Sequence, residues 1–183
     1  MVAPKIFVSS TCYDLNIVRG QLRNFILSLG YDPIMSDHSD VLYDPRDHTH
    51  TSCLKEIPSC DLVIVIIGSR FGGKGVPEAV NSISLENIRK QGFDVSKFPS
   101  KENFSITQAE VLKALEVEVP LFAFVDNAVY HDHNLYEKNK GNEIIVGEMI
   151  QNLQLRVALL NQQLEILERI KQKKNENAEP QNL

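Results

Sequence analysis

The apolar positions of this chain change their period along its length, and each change marks an element. Residues 5–9, Lys5-Ile6-Phe7-Val8-Ser9, form a short apolar run that stops at a hydroxyl-rich turn, which predicts a first strand. Beyond it Leu15, Val18, Leu22, Phe25, Ile26 and Leu29 recur on one helical face, with Asp14 as the expected N-cap and Gly30 just past the end. Residues 31–35 predict a short second strand, and the stretch to His50, rich in Asp, His, Ser and Pro, reads as loop. Thr51 or Ser52 is placed to cap a short helix through Glu56, closed by Pro58. Residues 62–67 are continuously apolar, as in a strand covered on both faces, until Gly68-Ser69-Arg70-Phe71-Gly72-Gly73 breaks the run. A connection to about Phe104 follows, with a small helix expected around residues 84–90; a connection this long is usually functional or mobile. Residues 106–117 predict a helix and residues 120–125 another buried strand.

Strands separated by helical patterns imply right-handed crossovers and a parallel sheet. The expected fold is α/β, a flavodoxin-like three-layer sandwich with four or five parallel strands and the first strand beside the third. Ligands of such sheets bind where the strand order reverses, which would bring Ser9 and Ser10 near residues 68–72. From Glu143 the pattern changes again. Val146, Ile150, Leu153, Val157, Leu160, Leu164 and Leu167 alternate steps of four and three, an a/d seam that predicts a self-associating helix. The expected organisation is an α/β domain over residues 1–140, an amphipathic coiled-coil helix over 141–172, and a polar tail over 173–183.

Composition narrows the partners. A net charge of −5 speaks against a nucleic-acid footprint, which needs a clustered basic face. No apolar run approaches membrane-spanning length, so no membrane partner is expected. Three cysteines, an odd number without framework spacing, fit a reducing, cytoplasmic setting.

Val8-Ser9-Ser10-Thr11 followed by Tyr13-Asp14-Leu15 resembles the start of a TIR-like bacterial family of unknown function. Ser59-Cys60-Asp61-Leu62, Gly68-Ser69-Arg70-Phe71-Gly72 and Ser105-Ile106-Thr107-Gln108-Ala109-Glu110 resemble it too, as does Val129-Tyr130 with Tyr136, Asn139 and Lys140. The resemblance covers roughly residues 4 to 140. It implies a flavodoxin-like sheet and a place in bacterial signalling or antiviral defence proteins, fused to or associated with other modules. Some TIR-type domains cleave NAD at the nicotinamide–ribose bond with a glutamate near the start of the helix after the long third loop, and the matching residue here is Glu110. Where such enzymes place a small or cysteine residue shortly before it, this chain has Thr107-Gln108-Ala109. TIR-type domains commonly gain activity when brought together, which an oligomerising helix would serve.

A carboxylate can stabilise the oxocarbenium-like state of glycosidic cleavage, the catalytic role open to Glu110. Thr107-x-x-Glu110 also reads as a capping box, in which Glu110 would only hold the helix start, while Ser105-x-x-Gln108 is a rival box that frees it. For binding, Ser9, Ser10 and Thr11 offer hydroxyls and N–H groups at a helix start, or simply cap it. Arg70 has the fork for a diphosphate or for a surface salt bridge, Phe71 a ring for stacking or core packing, and Gly68, Gly72 and Gly73 allow close backbone approach in the loop that also offers Ser69 for binding. His48, His50 and Cys53, and His131 with His133, lack the ligand spacing of metal sites, so no metal is expected. No cofactor is required on this reading; NAD or a related nucleotide is the substrate or ligand. The readings are hydrolysis of its N-glycosidic bond on self-association, nucleotide sensing without chemistry, and TIR-type scaffolding.

Overall fold

The computed structural model of the chain describes residues 2–98, 100–143 and 146. The chain divides into two compact units, residues 1–130 and 131–183, and the whole sheet belongs to the first. Strand β1 (Lys5–Ser10) is central, paired in parallel with β2 (Asp32–Ile34) on one side and β3 (Leu62–Ile67) on the other. Strand β4 (Leu121–Val125) joins β3, again in parallel, giving the flavodoxin-like order β2-β1-β3-β4.

Side chains alternate between the faces of a strand, so each face of this sheet collects its own core. On one face Phe7 and Val63, register neighbours, pack with Leu54 and Ile57 around helix α2 (Thr49–Glu56) and with Leu112 of α5 (Ile106–Glu116). On the other, Ile6 and Val8 meet Ile26 of α1 (Cys12–Ser28) and Met35.

Helix α1 starts at Thr11, not Asp14; the N-cap residue has extended backbone, and Asp14 sits inside the first turn, accepting the Thr11 hydroxyl. Favourable placement of a carboxylate by the N-terminal dipole explains why Asp14 suits that turn. Gly30 closes the helix as expected: Gly30 N–H donates to the Leu27 carbonyl and Tyr31 N–H to that of Ile26, the Schellman pattern. The inward stripe is Leu15, Arg19, Leu22 and Ile26, whereas Val18, Phe25 and Leu29 are exposed. Because α1 covers β1 and a β2 of only three residues, its inner face is narrower than the apolar pattern implied.

Helix α2 begins at Thr49, capped by His48, whose Nδ1 accepts the His50 N–H. Thr51 and Ser52, the expected caps, lie inside it instead. The 73–104 connection holds the expected small helix, α4 (Leu85–Lys90), preceded by α3 (Pro77–Asn81). It is packed wall rather than open loop: Ala79, Val80, Ile83, Ile88 and Phe104 are all core residues. Strand β4 departs most from expectation. It is an edge, and Phe122 and Phe124 are 58% and 59% exposed, because α1 sits over β1 and β2 and does not reach it.

After β4, helix α6 (Asn127–Asn139) carries the chain past residue 130. Within the second unit Lys140 pairs with Glu137. Of the coiled-coil seam only Val146 falls among the described residues, so the expected helix over 141–172 lies almost wholly outside them.

The two phenylalanines at opposite extremes of burial test this arrangement. Phe7→Ala should cost ~3–5 kcal/mol, as for a large ring removed from a packed core. Phe122→Ala should stay within about 0.5 kcal/mol, as at other surface positions. Urea denaturation of both variants measures the contrast, and comparable losses would contradict the edge position of β4.

Candidate functional site

At its carboxyl end β1 presents two consecutive serines, and the pleat sends them to opposite faces. Ser9 Oγ donates to Glu110 Oε2 at 2.6 Å, towards α5. Ser10 Oγ accepts from Arg19 Nη1 at 2.7 Å, towards α1. Arg19 is 1% exposed and spends the rest of its fork on Asp37, with Nε on Oδ2 at 3.0 Å and Nη2 on Oδ1. Such a bidentate, partly buried pair is the geometry in which an inner-face arginine is tolerated.

Glu110 reaches Ser9 because a different residue caps its helix. The Ser105 side chain accepts the Gln108 N–H at 3.2 Å, and Gln108 Oε1 accepts the Ser105 N–H at 3.0 Å, a complete capping box. Of the two boxes legible in the sequence the Ser105–Gln108 one forms, which leaves Glu110 one turn further in. There it is 6% exposed. Burial pushes its carboxyl up to about 7, against a partial downward pull from the Ser9 hydrogen bond and Arg19. Burial alone would lower Arg19, but Asp37 more than restores it and holds the guanidinium charged. Asp37 responds in kind: burial raises it, and the Arg19 hydrogen bond and charge bring it below the usual carboxylate range. Cys53, on α2, is pushed to about 12 by burial and by the Glu110 charge, and is no nucleophile.

Beside this polar layer a cavity of about 350 Å³ opens between the end of β3 and α5. Thr11, Gly68, Arg70 and Phe71 line it, together with Thr107, Gln108 and apolar side chains of both elements. The loop after β3 lies tight against its neighbours. A Cβ on Gly68 would stand 2.9 Å from the Asp14 carboxylate, and Gly72, at φ +87°, would set one 3.3 Å from Thr11 and 3.4 Å from the Thr107 hydroxyl. The Arg70 guanidinium stacks 5.3 Å over the Tyr13 ring.

The residues singled out in the sequence therefore fall into two groups. Thr11, Gly68, Arg70 and Phe71 share the cavity wall. Ser9 and Ser10 turn into the two polar pairs, Glu110 joins Ser9, and none of the three lines that cavity; nor does the exposed Ser69. Sequence reading passed over Arg19 and Asp37. The signal for Arg19 was its place between Leu15 and Leu22 on the inner stripe, where an arginine is almost never buried unless paired. The candidate metal histidines lie on or at helices rather than in loops: His48 caps α2, His50 sits in it with Nδ1 accepting the Val76 N–H at 3.3 Å, and His131 and His133 belong to α6. Among the described residues no three His, Cys, Asp or Glu side chains gather as metal ligands would, and no helix there is long and apolar enough to cross a membrane.

Over residues 5–178 the chain matches the family described as Domain of unknown function (DUF4062), and it belongs to that family. The match continues past residue 140, where the sequence resemblance stopped. No curated protein and no solved structure matches the chain.

The Glu110 carboxyl should leave its mark on stability. Its pKa is raised on folding from 4.5 to about 7, so between those values the folded state binds the extra proton and stability falls as pH rises. At ~1.4 kcal/mol per unit the decline approaches about 3 kcal/mol by neutral pH and then levels off. Glu110→Gln, which keeps an acceptor for Ser9 but cannot ionise, should lack it. Urea titrations from pH 4 to 8 give the difference between the two proteins; a difference independent of pH would mean that the carboxyl is hydrated.

Proposed function

We propose that this chain is a TIR-like signalling domain that binds NAD or a related nucleotide across the carboxyl ends of β1 and β3. In assembled copies Glu110 cleaves the N-glycosidic bond. The observation that carries this reading is the placement of α5. Its first turn gives Thr107 and Gln108 to the cavity wall, and the next residues bring Glu110, with its raised pKa, to the end of β1. A perturbed carboxyl beside a ligand-sized cavity is the pattern expected of a working site. Arg70 supplies the cation for a diphosphate, and Thr11 and Thr107 supply hydroxyls for ribose. The seam from Val146 to Leu167 supplies self-association, and the acidic balance fits a protein-and-nucleotide setting rather than a nucleic acid one.

Burial of Glu110 favours a second reading, nucleotide sensing without chemistry. A carboxylate that is 6% exposed and bonded to Ser9 acts on a sugar only after the α5–β1 contact opens. Assembly is the event that would open it, which joins the seam to the site.

Nicotinamide release from NAD, measured for wild type and Glu110→Gln with and without a crowding agent, separates the two. Hydrolysis predicts a loss of about 100-fold or more in the variant, the scale of one preorganised electrostatic group, with NAD affinity little changed. Because the ionised carboxyl is the active form, the wild-type rate should climb with pH to a plateau above about 7. NAD binding without release in any assembled state would leave sensing, and no binding at all would remove both.

A further inference from the structure

The cavity beside α5 has a chemistry of its own, and it is one-sided. Its floor and walls are β3 and α5 side chains, Val65 and Ile67 against Val111 and Leu115, flanked by Phe71 and Phe98. Polar groups gather where α5 begins, at Ser105, Thr107 and Gln108, with Thr11 close by across Gly72. No lining residue is acidic, and the single charged one is Arg70. Among the described residues Arg70 makes no ion pair; its exposed guanidinium lies 5.3 Å from the centre of the Tyr13 ring, a contact that uses none of its N–H donors as an anion would.

Resting on the nucleotide reading above, we infer that this cavity takes the adenine end of an adenine nucleotide, with its phosphate on Arg70, and rejects the nicotinamide ring. A flat neutral ring suits a slot whose lining is mostly apolar, since the ring buries both faces and turns its nitrogen-bearing edge to Gln108, leaving Thr11 and Thr107 to the ribose. The oxidised nicotinamide ring is a cation. Seated there it would give up its hydration with no carboxylate among the lining residues to replace it, the nearby Asp14 carboxylate being held by the Thr11 hydroxyl, and would stand beside a guanidinium of like charge. Aromatic walls attract cations weakly, and that gain does not offset the loss of hydration of a buried, unpaired charge. The adenine end thus anchors the ligand beside β3 and leaves the rest of the molecule outside the cavity, as expected when Glu110 is not part of its lining.

Isothermal titration of the full chain with adenosine monophosphate and with nicotinamide mononucleotide tests this, since each carries one ring, one ribose and one phosphate. The adenine compound should bind at least about tenfold more tightly. Val111→Trp, which fills the slot, should abolish that preference, with a thermal melt to show that the variant is folded. Arg70→Gln, an exposed change, should weaken adenosine monophosphate and leave adenosine unaltered. Equal or tighter binding of nicotinamide mononucleotide overturns the assignment of the base while the nucleotide reading stands. Failure of both compounds and of NAD to bind overturns the two together.

Discussion

A strand buried on both faces has no side on which to end a polar residue in water, yet β1 ends in two serines. Their hydroxyls are short enough to sit beneath packed helices and polar enough to meet a charged group there. Ser9 receives Glu110 from α5 and Ser10 receives Arg19 from α1, so one dipeptide fixes how both flanking helices sit on the sheet. The loops follow from the helices: the turn after β3 closes on Thr11 and Thr107, the starts of the same two elements. The cavity wall inherits its shape from that chain of dependence.

The two pairs differ in how completely they satisfy the charge they hold. Arg19 has a carboxylate and a hydroxyl, and stays ionised despite near-total burial. Glu110 has one hydroxyl at close range and a cation only at a distance, so burial dominates its titration. A buried charge relieved by an opposite one is stable, and a buried charge relieved by a dipole is poised. That asymmetry, not the presence of a carboxylate, makes the α5 side of the sheet the one whose charge changes near neutral pH.

Much of the fold was legible because its signals are local. The apolar run of β3, Gly30 past the first helix and the Ser105–Gln108 box each depend on residues a few positions apart: the strand and the helix end form as read, though one face of β3 is only half-buried, and of two rival boxes the Ser105 one forms. Of the candidate site residues, Thr11, Gly68, Arg70 and Phe71 come to one wall, whereas Ser10 and Glu110, expected to share a crevice with Arg70, do not line it. What was missed depends on distance along the chain. The Ser9–Glu110 bond joins residues 101 apart and the Arg19–Asp37 pair residues 18 apart, and no spacing rule announces either. The exposure of Phe122 and Phe124 is of the same kind: an apolar run predicts a strand but not which neighbours it has.

The capping box at Ser105 acts as an angular reference for everything on α5. Each residue of an α-helix turns the next by about 100°, so the number of residues between the cap and Glu110 sets the direction in which the carboxylate points. One residue gained or lost in that interval would swing it off β1 altogether and bring an apolar neighbour, Ala109 or Val111, under Ser9. The number of residues between cap and carboxylate is therefore part of the site, alongside the identity of Gln108, which closes the cap.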